Sequence, residues 1–252
     1  MSDSYSRIRI AGIPFDNLTL EEAIIHIKEV INAGGFSQIV TPNIDHLALA
    51  QKDDEFFKIL NSAELSVADG MGVVYLSRIL RTPIKENVGG RLLFMEICRY
   101  SVNVNWKLFF LGSKGSIAGD SAKILQKQIP RIQIVGAISP SMKFCIDDKE
   151  SDEIVEEINS SKADILLVGV GSPKTEKWIY LNKNRLKVHI ALVMGYGFDL
   201  IVGKVKRPPN NLTEYGFEWL FRLIKDPRNL FERYLIRNIP FFIRFIMNNW
   251  FH

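Results

Sequence analysis

Four short turns hold the residues of this chain that could do chemistry. They are Thr41-Pro42-Asn43-Ile44-Asp45-His46, Ala68-Asp69-Gly70-Met71-Gly72, Gly112-Ser113-Lys114-Gly115-Ser116 and Gly169-Val170-Gly171-Ser172-Pro173-Lys174-Thr175-Glu176. Each follows a short apolar run, so each would stand at the carboxyl end of a strand, where open α/β sheets bind their ligands. In the fourth turn, glycines let the backbone approach a ligand closely. Ser172 is placed to cap a helix and Pro173 to be its first residue. Free amides and the helix dipole would then face a phosphate. A tight strand-to-helix turn with no ligand has the same spelling, and spacing alone leaves both open. The third turn lacks the Gly-Lys-Ser/Thr of a Walker loop, and neither glycine turn completes the dinucleotide fingerprint.

Asp69 follows a strand and precedes two glycines, so its carboxylate could take a proton from an attacking hydroxyl. The alternative is an N-cap for a helix over residues 72–80. Asp45 and His46 would form an acid–base pair only if their side chains converged, and neighbours in sequence usually diverge. That leaves His46 as a polar rim or helix-start residue. Four scattered histidines, no cysteine cluster and no Asp-x-Asp pair argue for a metal-free mechanism without a cofactor.

The elements that must position these turns alternate along the chain. Strand candidates are residues 8–13, 38–41, 65–68, 108–111, 133–137, 165–170 and 190–193. Between them lie helical patterns. Thr19-Leu20-Glu21-Glu22 reads as a capping box ahead of Ala23, Ile24, Ile27 and Val30 on one face. Phe56, Phe57 and Leu60 make another apolar face, and Ile154, Val155 and Ile158 a third. Leu108-Phe109-Phe110-Leu111 and Leu166-Leu167-Val168 are apolar on both faces, as central parallel strands are. The expected fold is α/β and Rossmann-like: a largely parallel sheet flanked by helices, with a basic helical C-terminal appendage. Pro208-Pro209-Asn210-Asn211 marks the break between a body, 1–203, and the appendage, 204–252.

With the turns placed, the chain resembles the WecG/TagA/CpsF family of bacterial glycosyltransferases over nearly its full length. The residues that carry the resemblance begin with Thr41-Pro42-Asn43, Ala68-Asp69-Gly70-Met71-Gly72, Pro83-Ile84-Lys85-Glu86 and Leu111-Gly112-Ser113. They continue through Asp164 to Lys174, Phe198-Asp199, Lys206-Arg207-Pro208, the run from Gly216 to Leu223, and Pro227-Arg228. The resemblance implies inverting transfer of a sugar from a UDP-sugar to a polyprenyl-diphosphate-linked saccharide, in bacterial surface-polysaccharide or cell-wall polymer synthesis. N-acetylmannosamine, its uronate and glucose are donor sugars of the class. Asp69 is implied as general base, with Thr41 and Asn43 lining the same pocket and the turn 169–174 holding the nucleotide end. Arg222 and Arg228 match tail arginines that close over the cleft on the diphosphate or lipid carrier, with Arg207 and Arg233 as further candidates. The binding set so drawn is Thr41, Asn43, Gly112, Gly169, Gly171, Ser172, Lys174, Thr175, Glu176, Asp199, Arg207, Arg222, Arg228 and Arg233.

Three departures fall on the expected donor side. Thr175 stands where the family usually has Gln, and Asn87 and Leu92 stand where it has Arg and Asp. The glycine turn before Phe198 looks one residue short. These changes imply altered donor specificity; the alternative is a catalytically inactive sugar-nucleotide-binding partner of a polysaccharide assembly complex.

The last fifth of the chain carries most of its charge imbalance. From Lys204 to His252 there are nine Lys/Arg against four Asp/Glu, a net of +5, while the whole chain carries +4. Large apolar residues are interleaved there, and Phe217, Leu220, Phe221 and Ile224 fall on one helical face. A neutral body with such a tail suits work on an anionic surface. Phe241, Phe242, Ile243, Phe245, Ile246, Trp250 and Phe251 leave few polar positions on the last turns. A monomer should not leave that patch in water, so contact with the membrane or with a second copy in a homo-oligomer is expected. No nucleic-acid motif is present, and nucleic acid is not an expected partner. The polar N-terminus, the absence of any run of about 18 apolar residues and two unrelated cysteines lead to one expectation. The protein should be cytoplasmic and peripheral on the inner face of the cell membrane.

Overall fold

The computed structural model of the chain describes residues 5–112, 114–205, 212 and 216–250. It opens with an antiparallel hairpin, β1 (Arg7–Ile10) and β2 (Ile13–Asp16), where one strand over 8–13 was expected. Ala11 and Gly12 both take positive φ (51° and 80°), the twist that a two-residue hairpin turn needs. Arg7 pairs with Asp16 across the hairpin at 2.7 Å.

Six strands then form one parallel sheet in the order β4-β3-β8-β7-β5-β6. They are β3 (Ser37–Val40), β4 (Leu65–Ser66), β5 (Lys107–Gly112), β6 (Gln133–Ile138), β7 (Ile165–Gly169) and β8 (Ile190–Val193). Parallel strands covered on both faces must be apolar on both, and β7 and β8 are buried at every position. Alternate residues feed two cores. Val40, Phe109, Leu111, Leu166, Val168, Ala191 and Val193 face one side. Ile39, Leu108, Phe110, Ile165, Leu167, Ile190 and Leu192 face the other.

On the first face lie α2 (Ile44–Ala50), α3 (Asp54–Ser62), α4 (Met71–Ile79), α7 (Lys149–Ser161) and α8 (Lys174–Asn182). On the second lie α1 (Leu20–Asn32), α5 (Gly90–Val104), α6 (Ile117–Gln128) and α9 (Gly197–Ile201). The α1 start is the capping box read from sequence: Thr19 Oγ1 accepts from Glu22 N–H, and Glu22 Oε2 accepts from Thr19 N–H at 2.7 Å. Ala23, Ile24, Ile27 and Val30 are its buried face.

The tail continues as helices Glu218–Lys225 and Pro227–Phe231, a π-helical stretch Glu232–Asn238, and a last helix Ile239–Trp250. Phe241, Phe242, Phe245 and Ile246 pack against the first core, so one face of the last helix rests on the body. Ile243 and Met247 stay exposed, as do Phe217, Leu220 and Ile224 on the first tail helix.

Candidate active site

The chain runs from β3 outward to β4, and from β5 and β6 back inward to β7 and β8. Its course therefore reverses near the centre of the sheet, the place where open α/β sheets leave a crevice. A cavity of about 1120 Å³ opens there over the carboxyl ends of the strands. Its lining includes Thr41 and Asn43 after β3, Asp69 after β4, and Lys114 after β5. Gly169, Gly171, Ser172 and Lys174 follow β7, Tyr196 and Asp199 follow β8, and Glu218, Arg222 and Arg233 come from the tail. Among the described residues, six cationic side chains line it (Arg91, Lys114, Lys174, Lys204, Arg222, Arg233) against four carboxylates (Asp45, Asp69, Asp199, Glu218). The volume suits a nucleotide-sized ligand and the charge suits an anionic one.

Asp69 lies on the floor of this cavity. It does not cap a helix, because α4 starts at Met71 with Gly70 in the capping position. The carboxylate can sit there because residue 89 is glycine. A Cβ on Gly89 would come within 2.8 Å of Asp69 Oδ1, and its φ of +46° disfavours any side chain. Burial raises the Asp69 pKa above the ordinary carboxylate value, and the nearby Glu218 charge raises it further. His46, the Asn43 side chain acting as a hydrogen-bond donor, and Arg222 pull it back. Asn87 Oδ1 accepts from Gly70 N–H at 2.7 Å, so the residue that replaces the expected Arg fixes the loop carrying Asp69.

Tyr196 joins the tail to the body above Asp69. Its hydroxyl donates to Glu218 Oε1, and the Arg222 guanidinium stacks 4.0 Å from its ring centroid. Burial, followed by the Glu218 charge, drives the phenol pKa upward and keeps it a donor. The tail is tied a second time at α2. Asp45 faces Arg237 Nε at 2.7 Å and Arg233 Nε at 3.0 Å, the latter an ion pair without hydrogen-bond alignment. With its amide turned to suit its neighbours, Asn238 donates to Asp45 Oδ1 at 2.9 Å. The i→i+5 winding of the π-helical stretch lets positions 237 and 238 both flank the turn begun at 233.

Several residues expected at the site are placed elsewhere. Ser172 does not cap α8, which begins at Lys174 after Pro173; Ser172 lines the cavity instead. Thr175 is buried inside its own loop, where Oγ1 accepts from Val170 N–H at 3.1 Å and lies 3.2 Å from Gly171 O. Glu176 is also buried, 3.0 Å from His46 Nε2, and neither Thr175 nor Glu176 lines the cavity. Gly112 lies beneath the cavity, where a Cβ would meet the Gly169 backbone at 2.6 Å. Arg228 is exposed and away from the lining. Arg207 lies outside the described residues. Lys174 donates to Phe144 O and sits 4.8 Å from the Phe144 ring centroid, which ties α8 to the loop after β6. Asp45 and His46 diverge, one towards the tail and one towards Glu176.

The sequence reading did not single out Tyr196 or Glu218. Glu218 stands in the run from Gly216 to Leu223, and Tyr196 in the glycine turn before Phe198. Among the described residues, no group of three or more His, Cys, Asp and Glu could hold a metal ion.

The model of the glycosyl transferase WecG/TagA/CpsF family matches residues 8–252. The chain is also similar to proteins named N-acetylglucosaminyldiphosphoundecaprenol N-acetyl-beta-D-mannosaminyltransferase. Those of Staphylococcus aureus strains MW2, MRSA252 and NCTC 8325 / PS 47 are each 28% identical to it over 244 residues, covering 94% of this chain and 91% of the relative.

Proposed function

The chain belongs to the glycosyl transferase WecG/TagA/CpsF family, and from that premise we propose that it is an inverting N-acetylmannosaminyltransferase. Its donor is a UDP-linked sugar, and its acceptor is N-acetylglucosamine on a polyprenyl diphosphate. The observation that carries this reading is Asp69: a carboxylate with a raised pKa at the floor of a cation-lined cavity. The names of the relatives supply the sugar and the acceptor.

The acceptor hydroxyl attacks the anomeric carbon on the face opposite UDP while Asp69 takes its proton. The bond from the anomeric carbon to the diphosphate oxygen breaks, and that oxygen keeps the electron pair. A raised pKa brings the base nearer the working pH, where proton transfer is most effective. The relatives' names specify a beta product. From an alpha-linked nucleotide sugar, a single displacement gives that outcome. Charge developing on the leaving diphosphate is met by Lys174, Arg222 and Arg233 and by backbone N–H groups of the 169–172 turn, with no metal ion in the step.

Among the described residues, eight of the large apolar side chains that remain exposed lie from Phe217 to Met247. No helix among the described residues is long and apolar enough to cross a membrane. On the reading proposed here the tail lies on the cytoplasmic membrane surface, arginines at the headgroups, and brings the cavity to the lipid-linked acceptor.

Purified protein with UDP-N-acetylmannosamine and a short-chain prenyl-diphosphate N-acetylglucosamine acceptor tests the reading by UDP release and product mass. Acceptor-dependent release should yield a product one N-acetylhexosamine heavier. Asp69→Asn should abolish it, and a chelator should leave it unchanged. Undiminished turnover by Asp69→Asn would refute the assignment of the base.

A further inference from the structure

Glu176 is a buried carboxylate that the transfer chemistry does not use. It is 1% exposed, and its Oε1 lies 3.0 Å from Nε2 of His46, which is 8% exposed. On the other edge of the ring, His46 Nδ1 lies 2.8 Å from Asn43 Oδ1. That oxygen also accepts the backbone N–H groups of Asp45 (3.0 Å) and His46 (3.3 Å) at the start of α2, which identifies it as the oxygen of the amide. Asn43 N–H also lies 3.3 Å from Nδ1, and this longer contact would require a bare ring nitrogen. The shorter contact decides, because two lone-pair acceptors at 2.8 Å repel each other. Nδ1 therefore carries a proton, and a second proton lies between Nε2 and Glu176 Oε1.

We propose that Glu176 and His46 are positioning residues: they clamp the Asn43 amide by its oxygen and so aim its NH2 group at the Asp69 carboxylate. The proposal rests on the reading of Asp69 as the base. With its oxygen held by three donors, the Asn43 side chain has only its nitrogen left for the cavity that both residues line. Asn43 is among the groups that oppose the upward shift of Asp69. The other ionisable groups facing Asp69 are His46 itself, Glu218 and Arg222 from the tail, and Tyr196 from the loop after β8. Among the described residues Glu176 Oε2 has no hydrogen-bond partner, so the contact with His46 is what holds this carboxylate. An anchored imidazole fixes the orientation of the amide it touches, as residues packed behind a ligating or reacting group do at other sites.

The two ring nitrogens can be replaced separately. His46→Asn keeps a donor near the Nδ1 position, whereas His46→Gln keeps only the contact with Glu176. The expected result for His46→Gln is a kcat lowered roughly tenfold, the size of one misplaced hydrogen bond to an ionised group. Its KM for the donor stays near wild type, and the acid limb of kcat/KM moves to higher pH. His46→Asn loses the same imidazole charge but keeps the donor, so it should restore kcat and bring the limb part of the way back. The difference between the two variants is the contribution of the clamp. A 13C titration of the Asp69 carboxyl should move in the same direction without reference to turnover. An unmoved Asp69 titration in His46→Gln would overturn the clamp, whatever happens to the rate. Should that variant fail to fold, Glu176→Leu, which cannot accept from Nε2, serves in the same comparison, and an unmoved titration there is equally decisive. If Asp69→Asn keeps wild-type turnover, the reading of the base fails, while the carboxyl titration still decides the clamp.

Discussion

Arg237 Nε meets Asp45 Oδ1 at 2.7 Å across 192 positions of sequence, so the first turn of α2 anchors the tail. Asp45 is buried; its Oδ1 accepts from Arg237, and its Oδ2 forms an ion pair with Arg233. Removing one partner of such a cluster leaves the others unpaired. Fully buried clusters lose about 3–5 kcal/mol in this way, and the partly exposed arginines here place the cost at the lower end or below. Asp45→Ala should raise hydrogen exchange across residues 216–250 and leave β5, β7 and β8 protected. Uniform loss of protection would show that the tail is not a separable unit. Because Asn43 and Asp45 share a helix start, turnover should fall as well.

The raised Asp69 pKa gives turnover a pH dependence with a defined sign. The base acts only when ionised, so activity rises with pH through the Asp69 value, and that value lies above the ordinary carboxylate range. Glu218→Gln removes a charge that raises it and can still accept from Tyr196, so the acid limb should move to lower pH. Arg222→Gln removes a charge that lowers it, so the limb should move up. The pH profile of kcat/KM for the two variants is the measurement; shifts in one common direction would contradict the electrostatics.

The same shift bears on stability. A carboxyl that binds its proton more tightly folded than unfolded gives stability that is fully present below the unfolded pKa. That stability is lost as pH rises through the folded value. At neutral pH, ionised Asp69 therefore works against the fold. Asp69→Asn should raise the Tm near neutrality while abolishing transfer, and its Tm advantage should shrink as pH falls below the ordinary carboxylate range. Equal Tm values at neutral pH would mean that the site holds the charge at no cost.

Gly89 is a position where a single methyl group should cost activity more than stability. The added Cβ lies 2.8 Å from Asp69 Oδ1, and the φ of +46° is strained for alanine. Gly89→Ala should lower stability by about 1 kcal/mol. It should lower kcat far more than that implies, because the displaced atom is the reacting one. Comparison of kcat with Tm checks this; a kcat loss no larger than the stability loss would remove Gly89 from the site.

The sheet was legible because its strands are apolar on both faces and its turns carry glycine and polar residues at their ends. The hairpin was not: Ala11-Gly12 lacks the Asn-Gly or Asp-Gly spelling, and Ile8 to Ile13 reads as one run. The cavity residues Thr41, Asn43, Asp69 and Lys174 follow strands directly, so placing the strands placed them. Thr175 and Glu176 stand in the same turn but point inward, because a helix start sends neighbouring side chains in different directions. The contacts of Asp45 with the tail and of Tyr196 with Glu218 join residues far apart in sequence, and no local pattern encodes such pairs.

The tail should bind anionic vesicles through two separable forces. Ile224 is 69% exposed and Ile236 61%, and neither lines the cavity. Burying such a side chain contributes about 1.5–3 kcal/mol. Ile224→Glu and Ile236→Glu should therefore each weaken binding to phosphatidylglycerol vesicles about tenfold or more, with turnover of a water-soluble acceptor retained. The tail's basic residues add an attraction of about 1 kcal/mol each near an anionic surface, and that part is screened by salt. Co-sedimentation at rising ionic strength should then show binding that falls towards a residual level set by the apolar residues. Neutral phosphatidylcholine vesicles should be bound at that residual level from the start. Equal affinity for both lipids would leave the basic residues without a role at the surface. Binding that ignores both glutamate substitutions would assign the exposed apolar residues to contact between two copies of the chain.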